Sequence, residues 1–342
     1  MVLLINVIWL SLPFVCHYFI RPLPNTLLRA SITTVGCFIL LIISCKDLSL
    51  GDMSSVFMCT LYWMTSIRLI QLMVLNDQQR NNLTIKYIIL KLLWFILPIT
   101  LNPNKSRPIS EFFIHVGYHL TLALVKITIC QWIHNWLIIC LDSVGGGTVV
   151  NESYWLTLQY VIMFYISICT GVAVNDIEIV LVSLISLDKY EIVPFNNWPI
   201  LSSSPREFWG RRYNKIIGRF LHETIFIPLQ KQARLSVSTA SMASFIVSGA
   251  LHVHIDKVVF NGYMIRTPVY FILQGLACNL EAYFNMKRLP HVLCIVLTNL
   301  FMLITSPLYP ALFIYAGPAF QRNNPPLFKP IFQLPVPNYC PR

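Results

Sequence analysis

Apolar residues fill this chain in long uncharged runs rather than in alternating or narrowly amphipathic stretches. Residues 2–20 contain no Asp, Glu, Lys or Arg and end at Arg21-Pro22. Residues 30–45 are closed by Lys46-Asp47, and residues 53–75 are interrupted only by Arg68. Further runs cover 85–101 (with Lys86 at the edge and Lys91 inside), 112–141, 154–174, 238–255, 268–280 and 292–316. A helix needs ~20 apolar residues to cross ~30 Å of hydrocarbon. The pattern predicts an all-α polytopic membrane protein of about eight or nine transmembrane helices, organised as one membrane-embedded domain over residues 1–342. The first run lacks a basic leader and a small-x-small cleavage site before Arg21, so it is expected to be a retained span and not a signal peptide.

Composition agrees with this pattern. The chain is 56% apolar and 11% charged, against roughly 45–50% and about 25% in soluble domains. That leaves too little polar surface to coat a globule in water. The net charge of +11 comes mainly from Lys and Arg in short connections beside apolar runs, where cations anchor to lipid headgroups. Nucleic acid is therefore excluded as a partner, and membrane lipid is expected. Arg21/Arg29, Lys46, Arg80/Lys86 and Lys105/Arg107 fall in successive connections, so charge alone sets no orientation. The ten cysteines form no CxxC pair, and most lie inside apolar runs, Cys16, Cys37, Cys130, Cys169, Cys278 and Cys294 among them. They read as small buried hydrophobes, and no metal site is expected. The sequons at Asn82, Asn104 and Asn151 read as chance occurrences.

The longest polar interruption, residues 188–234, carries more information. Pro194 and Pro199 bracket an Asn196-Asn197 turn signal. Ser204-Pro205-Arg206-Glu207 then has the form of a helix start, with Ser204 as cap, Pro205 in the first position and Glu207 completing a capping box. A helix from Pro205 places Glu207, Arg211 and Asn214 on one face, Phe208, Arg212, Lys215 and Arg219 beside them, and Trp209 with Tyr213. Five basic residues sit within fourteen positions, interleaved with aromatic rings. Such an interfacial amphipathic helix binds lipid headgroups, or it meets an anionic cofactor such as a nucleotide phosphate. The amide of Asn214 favours the second reading.

A second break closes the apolar run near residue 251. Ser248, His252 and Asp256 follow one another at helical spacing. An ionisable group within a span normally faces a protein cavity or water. His252 reads either as a packed core histidine or as a general base whose tautomer Asp256 fixes. His254 points to another face and is the weaker candidate. His115 and His119 read as helix packing, Gly145-Gly146-Gly147 as a flexible turn, and Arg68 as paired with an acid or snorkelling. The Pro-rich tail from Pro318 to Arg342 reads as extended chain.

The two breaks together resemble the signature of the wax synthase branch of the membrane-bound O-acyltransferases. In that branch a "pf.pyl.tSl.dFWGrRWn" segment precedes, by some forty residues, a span ending in "vSGlmHe". Here the first element runs from Pro194-Phe195-Asn196-Asn197-Trp198-Pro199 to Phe208-Trp209-Gly210-Arg211-Arg212-Tyr213-Asn214, and the second is Val247-Ser248-Gly249-Ala250-Leu251-His252. The match covers Pro194–Asp256, within a catalytic segment of residues 188–256. Tyr213 stands where the family has Trp, and Val253 stands where it commonly has Glu, leaving Asp256 as a substitute acid.

The resemblance implies a family-like fold and transfer of an acyl group from acyl-CoA to a lipophilic alcohol, with no permanently bound cofactor. It makes His252 the general base, a role typically worth ~10²–10⁴ in rate. Asn214 would orient the donor or bind the oxyanion. Arg206, Trp209, Arg211, Arg212 and Lys215 would meet the CoA moiety, the cations at its phosphates. A long-chain alcohol giving a wax ester is the leading expectation, with acetylation of a terpenoid or sterol alcohol as the alternative. A multi-pass location in the endoplasmic reticulum is expected. A transporter or lipid-binding scaffold would need paired interrupted spans in two related halves, and no internal repeat is visible.

Overall fold

In a computed structural model of the chain, residues 2–74, 83–102, 107–143, 162, 165–166, 173–262, 265–281, 289–309, 325, 331–332 and 334–335 are described. Most of the run 154–174, Gly145–Gly147, the three sequon asparagines, Cys169 and most of the Pro-rich tail lie outside them. The chain groups into two compact units, Met1–Leu97 with Phe220–Asn261, and Pro98–Arg219 with Gly262–Arg342.

Five helices among the described residues are long and apolar enough to cross a membrane: Thr26–Cys45, Met53–Met73, Ile109–Trp136, Val237–Val259 and His291–Leu308. A shorter apolar helix spans Ile5–Ile20. Outward-facing side chains suit a hydrocarbon solvent. On the Thr26–Cys45 helix Leu27 is 75% exposed and Phe38 62%. The protein is thus a mostly helical, polytopic membrane protein, with five spanning helices described where eight or nine were expected.

In the first unit, local chemistry fixes where helices begin. The Asn25 side chain accepts from the backbone N–H of Leu27 and Leu28, and Asp52 from that of Ser54, each quenching orphan donors of a first turn. Pro13 lies inside the first helix, which continues as a π-helical turn over Cys16–Ile20. Arg29 does not anchor to headgroups as its place in a connection suggested. It is fully buried, its Nε donating to the Met73 carbonyl at 3.1 Å and its Nη1 to the Leu23 carbonyl at 2.6 Å. A cation at the end of the Met53–Met73 helix complements the negative end of the helix dipole.

Arg68 is paired. Its two terminal nitrogens lie 3.4 Å from Glu223 Oε2, its guanidinium stacks over Phe220 at 4.8 Å, and Lys91 reaches the same carboxylate at 3.4 Å.

In the second unit the run 85–101, whose first part belongs to the first unit, proves not to be a span. Ile85–Leu93 is a nine-residue helix, about 14 Å long. Pro98 cannot extend a helix, and the β-branched Ile99-Thr100 pair favours strand. Strand β1 (Ile99–Leu101) pairs antiparallel with β2 (Tyr190–Ile192), Thr100 opposite Glu191, so the all-α expectation is corrected by one small ribbon. Arg107 secures the ribbon through Asp188 at 2.6 Å and through Glu191. Arg266–Leu280 has fifteen residues, about 22 Å, short of a full crossing. Ile109–Ser143 has thirty-five, about 52 Å, longer than the hydrocarbon layer.

Candidate active site

The Val237–Val259 helix begins at Ser236, whose hydroxyl accepts from the Thr239 backbone N–H. It carries His252 more than halfway along. His252 Nδ1 lies 2.7 Å from the Ser248 carbonyl oxygen one turn earlier. A carbonyl only accepts, so Nδ1 carries the proton and Nε2 holds the ring's lone pair. Asp256 was expected to fix this tautomer; the backbone carbonyl does so. Asp256 follows one turn later and is buried, at 1% exposure. Having Val253 where the family commonly has Glu therefore costs the ring no orientation.

The basic segment folds differently from the continuous helix expected of it. Ser204 caps as predicted, its hydroxyl accepting from the Glu207 N–H at 3.1 Å. Glu207 reaches back to Ser203, whose N–H and hydroxyl donate to Oε2 at 2.8 and 2.7 Å. After Glu207 the chain widens into a π-helical turn, Phe208–Arg212. The Tyr213 N–H closes it on the Phe208 carbonyl at 2.8 Å. Five-residue spacing then governs who meets whom. Arg212 Nε donates to Glu207 Oε1 at 2.6 Å, a pairing that the i, i+4 rule put on a neighbouring stripe. Partial burial works to raise the Glu207 carboxyl, but hydrogen bonds from Ser203 and Arg212 outweigh it and hold it at about 2.

The turn ends because Tyr213 is extended and Asn214 is left-handed, with φ 40°, a conformation Asn tolerates better than most residues. The Asn196-Asn197 signal explains the stop. Asn196 Oδ1 accepts the Asn214 N–H at 2.9 Å, the Asn197 N–H donates to the Arg212 carbonyl at 2.7 Å, and the Lys215 N–H donates to the Phe195 carbonyl at 2.8 Å. Asn214 then caps the next helix, Lys215–Leu221, its Oδ1 accepting from the Ile217 N–H at 3.2 Å. That bond engages the oxygen of the amide and leaves Nδ2, its donor end, for other work.

The predicted cofactor-binding residues separate into two groups. Trp209 and Arg212 have partners within the second unit. The Trp209 indole N–H donates to the buried Gln274 at 3.0 Å, its ring packs near Tyr213, Tyr270 and Phe271, and Arg212 is committed to Glu207. Arg206 is exposed but donates to the Cys278 carbonyl at 3.2 Å. Arg211 is exposed and Lys215 half-buried, and neither side chain has a partner among the described residues. Burial pushes the Lys215 ammonium below the usual lysine range, a penalty that a bound anion would relieve. His252 belongs to the first unit, and Asn214 with the cations to the second.

Spacing arguments missed one constellation. His119 Nδ1 lies 2.8 Å from Asp176 Oδ1, and Lys126 contacts the other oxygen at 2.5 Å. The carboxylate comes from a distant helix, Ala173–Ser186, so only the His115/His119 half was visible in sequence.

Residues 193–273 match the Membrane bound O-acyl transferase family. The chain is 35% identical over 102 residues to probable long-chain-alcohol O-fatty-acyltransferase 1 of Arabidopsis thaliana, covering 26% of this chain and 28% of that protein. It is 27% identical over 138 residues to the long-chain-alcohol O-fatty-acyltransferase of Simmondsia chinensis (37% and 36%). It is 28% identical over 153 residues to acyl-CoA–sterol O-acyltransferase 1 of Arabidopsis thaliana (41% and 42%). The chain thus spans less than half the length of these curated relatives.

Proposed function

We propose that this protein is a membrane-bound acyl-CoA:alcohol O-acyltransferase that esterifies a long-chain alcohol to a wax ester in the endoplasmic reticulum membrane, through eight or nine crossings of a single functional domain. The observation that carries the reading is His252, a histidine on an apolar helix within the family segment, with Nδ1 protonated and Nε2 able to accept a proton. In the reaction Nε2 takes the hydroxyl proton as the alcohol oxygen attacks the thioester carbonyl of acyl-CoA. The tetrahedral intermediate then expels the CoA thiolate, and the imidazolium returns the proton to that sulfur. Asn214 Nδ2 supplies a hydrogen bond to the donor or to the oxyanion. Arg211 and Lys215, with Arg206 beside them, meet the CoA phosphates as charge-assisted donors. Acyl-CoA is a co-substrate, and no permanent cofactor is invoked.

The similarity to a sterol acyltransferase supports a second reading with the same chemistry and a sterol acceptor, to which acetylation of a terpenoid or sterol alcohol is the related alternative. Membranes from cells expressing the protein, given labelled acyl-CoAs of several lengths and a panel of alcohols, separate the two. Long-chain acyl esters of long-chain alcohols support the first reading. Esters confined to sterols or terpenoids support the second, and no ester with any pair returns the protein to a transporter or scaffold role.

A further inference from the structure

Away from His252, three metal-type donors converge in the first unit. Cys45 ends the Thr26–Cys45 helix, Cys59 lies in the second turn of Met53–Met73, and His254 lies near the end of Val237–Val259. The connection between the first two helices draws them to the third. Gly51, at φ 67°, donates its N–H to the Val259 carbonyl at 2.8 Å, and a residue with a side chain would be strained in that conformation. Cys45 Sγ lies 3.8 Å from Cys59 Sγ, and Cys59 Sγ lies 3.7 Å from His254 Nδ1. All three donor atoms fall within 4.8 Å of one another. Both cysteines are buried, at 1% and 0% exposure.

These separations have a specific meaning. Tetrahedral zinc with Zn–S of ≈ 2.3 Å and Zn–N of ≈ 2.0–2.1 Å requires about 3.8 Å between sulfurs and about 3.6 Å between sulfur and nitrogen. The Cys45–Cys59 and Cys59–His254 edges are close to those of such a tetrahedron, and the third donor pair lies within 4.8 Å. The histidine is also in the required state. The Trp63 indole N–H donates to His254 Nδ1 at 2.8 Å, and an indole nitrogen cannot accept. Nδ1 is therefore unprotonated, and the ring proton sits on Nε2.

We propose that Cys45, Cys59 and His254 bind one Zn²⁺ ion. The two thiols lose their protons to solvent, the imidazole binds as the neutral ligand, and the Trp63 N–H gives up Nδ1 to the metal. Two thiolates cancel the charge of a divalent ion, so the site is electrically neutral, as a location inside an apolar helix cluster requires. Among the described residues there are three ligands, and a solvent oxygen completes the tetrahedron. The ion would clip together three helices, one of which carries His252 two residues away.

The test uses the full chain in detergent, reduced, stripped with chelator and titrated with Co²⁺ as a spectroscopic stand-in for zinc. The wild type should bind one ion per chain, with thiolate-to-cobalt charge-transfer absorption, release two protons and be displaced by Zn²⁺. Cys59→Ser should weaken binding at least tenfold. Because that variant could misfold, two others carry the argument independently. Trp63→Phe removes the competing N–H and should tighten binding several-fold. His254→Cys should retain the ion with stronger charge-transfer absorption. The absence of saturable Co²⁺ binding in folded wild type, or equal binding by wild type and by Cys45→Ser/Cys59→Ser, overturns the site.

Discussion

At the level of single residues, the proposed chemistry turns on which nitrogen of His252 carries the ring proton. The Ser248 carbonyl at 2.7 Å assigns the proton to Nδ1, so a substitution that keeps the helix but removes the lone pair should remove the chemistry. His252→Ala and His252→Gln are each expected to lower esterification by about 10²–10⁴, with protein yield and melting temperature close to wild type. A labelled-ester assay on membranes normalised for protein reads this directly. The cations divide in the same way. Arg211→Ala should raise the apparent KM for acyl-CoA several-fold and leave that for the alcohol unchanged, because its side chain has no structural task among the described residues. Arg212→Ala should lower the melting temperature instead, since it strips Glu207 of its partner at 2.6 Å.

At the scale of elements, the 203–217 segment is a capped turn widening into a π-helical turn and the start of a second helix, not one continuous helix. Its stability should follow the charge of Glu207, which the fold holds at about 2, against about 4.3 for a free glutamate. A depressed carboxyl contributes stability that is fully present above the unfolded value and is lost as pH falls through the folded one. Melting of the purified chain should therefore lose an increment between about pH 4.3 and about pH 2, and that increment should be missing in Glu207→Gln. A second element-level test concerns the Arg68–Glu223 pair. Glu223→Leu strands the buried Arg68 guanidinium, whereas Arg68→Met leaves Glu223 with Lys91 at 3.4 Å, so the first should reduce folded yield more than the second. The double variant should recover part of it, and strictly additive losses would argue against coupling.

How far these elements were legible follows from range. The Ser204 cap is local, and residue types at fixed offsets announced it; the stop around Asn214 was not announced. The switch to π-helical spacing was not legible, because it depends on Asn196 and Asn197 stitching their loop to residues 212–214. His252 was legible as an ionisable residue in an apolar run. The acceptor that fixes its tautomer was not, since every residue offers a carbonyl. Cys45, Cys59 and His254 are far apart in sequence with no ligand spacing, and as isolated cysteines in apolar runs they read as packing. Arg29 and Arg107 were misread for the same reason: a basic residue in a short connection has the same sequence appearance at a headgroup as over a buried carbonyl or carboxylate.

On the scale of the whole molecule, the proposed reaction would use the membrane as its solvent. A long-chain alcohol and its ester are insoluble in water, and in the proposed reaction a chain with several apolar helices would meet them in the phase where they concentrate. The proposed donor would arrive from water carrying phosphates, on the side where exposed cations outside the apolar helices could meet it. The central claim is acyl transfer by His252 from acyl-CoA to a lipophilic alcohol, and its most direct test is one measurement. Membranes bearing wild type or His252→Ala, at matched protein levels, receive labelled palmitoyl-CoA and hexadecanol. The account predicts a labelled wax ester from wild type and a loss of at least about a hundredfold in the variant. Ester formation by His252→Ala at the wild-type rate would contradict it.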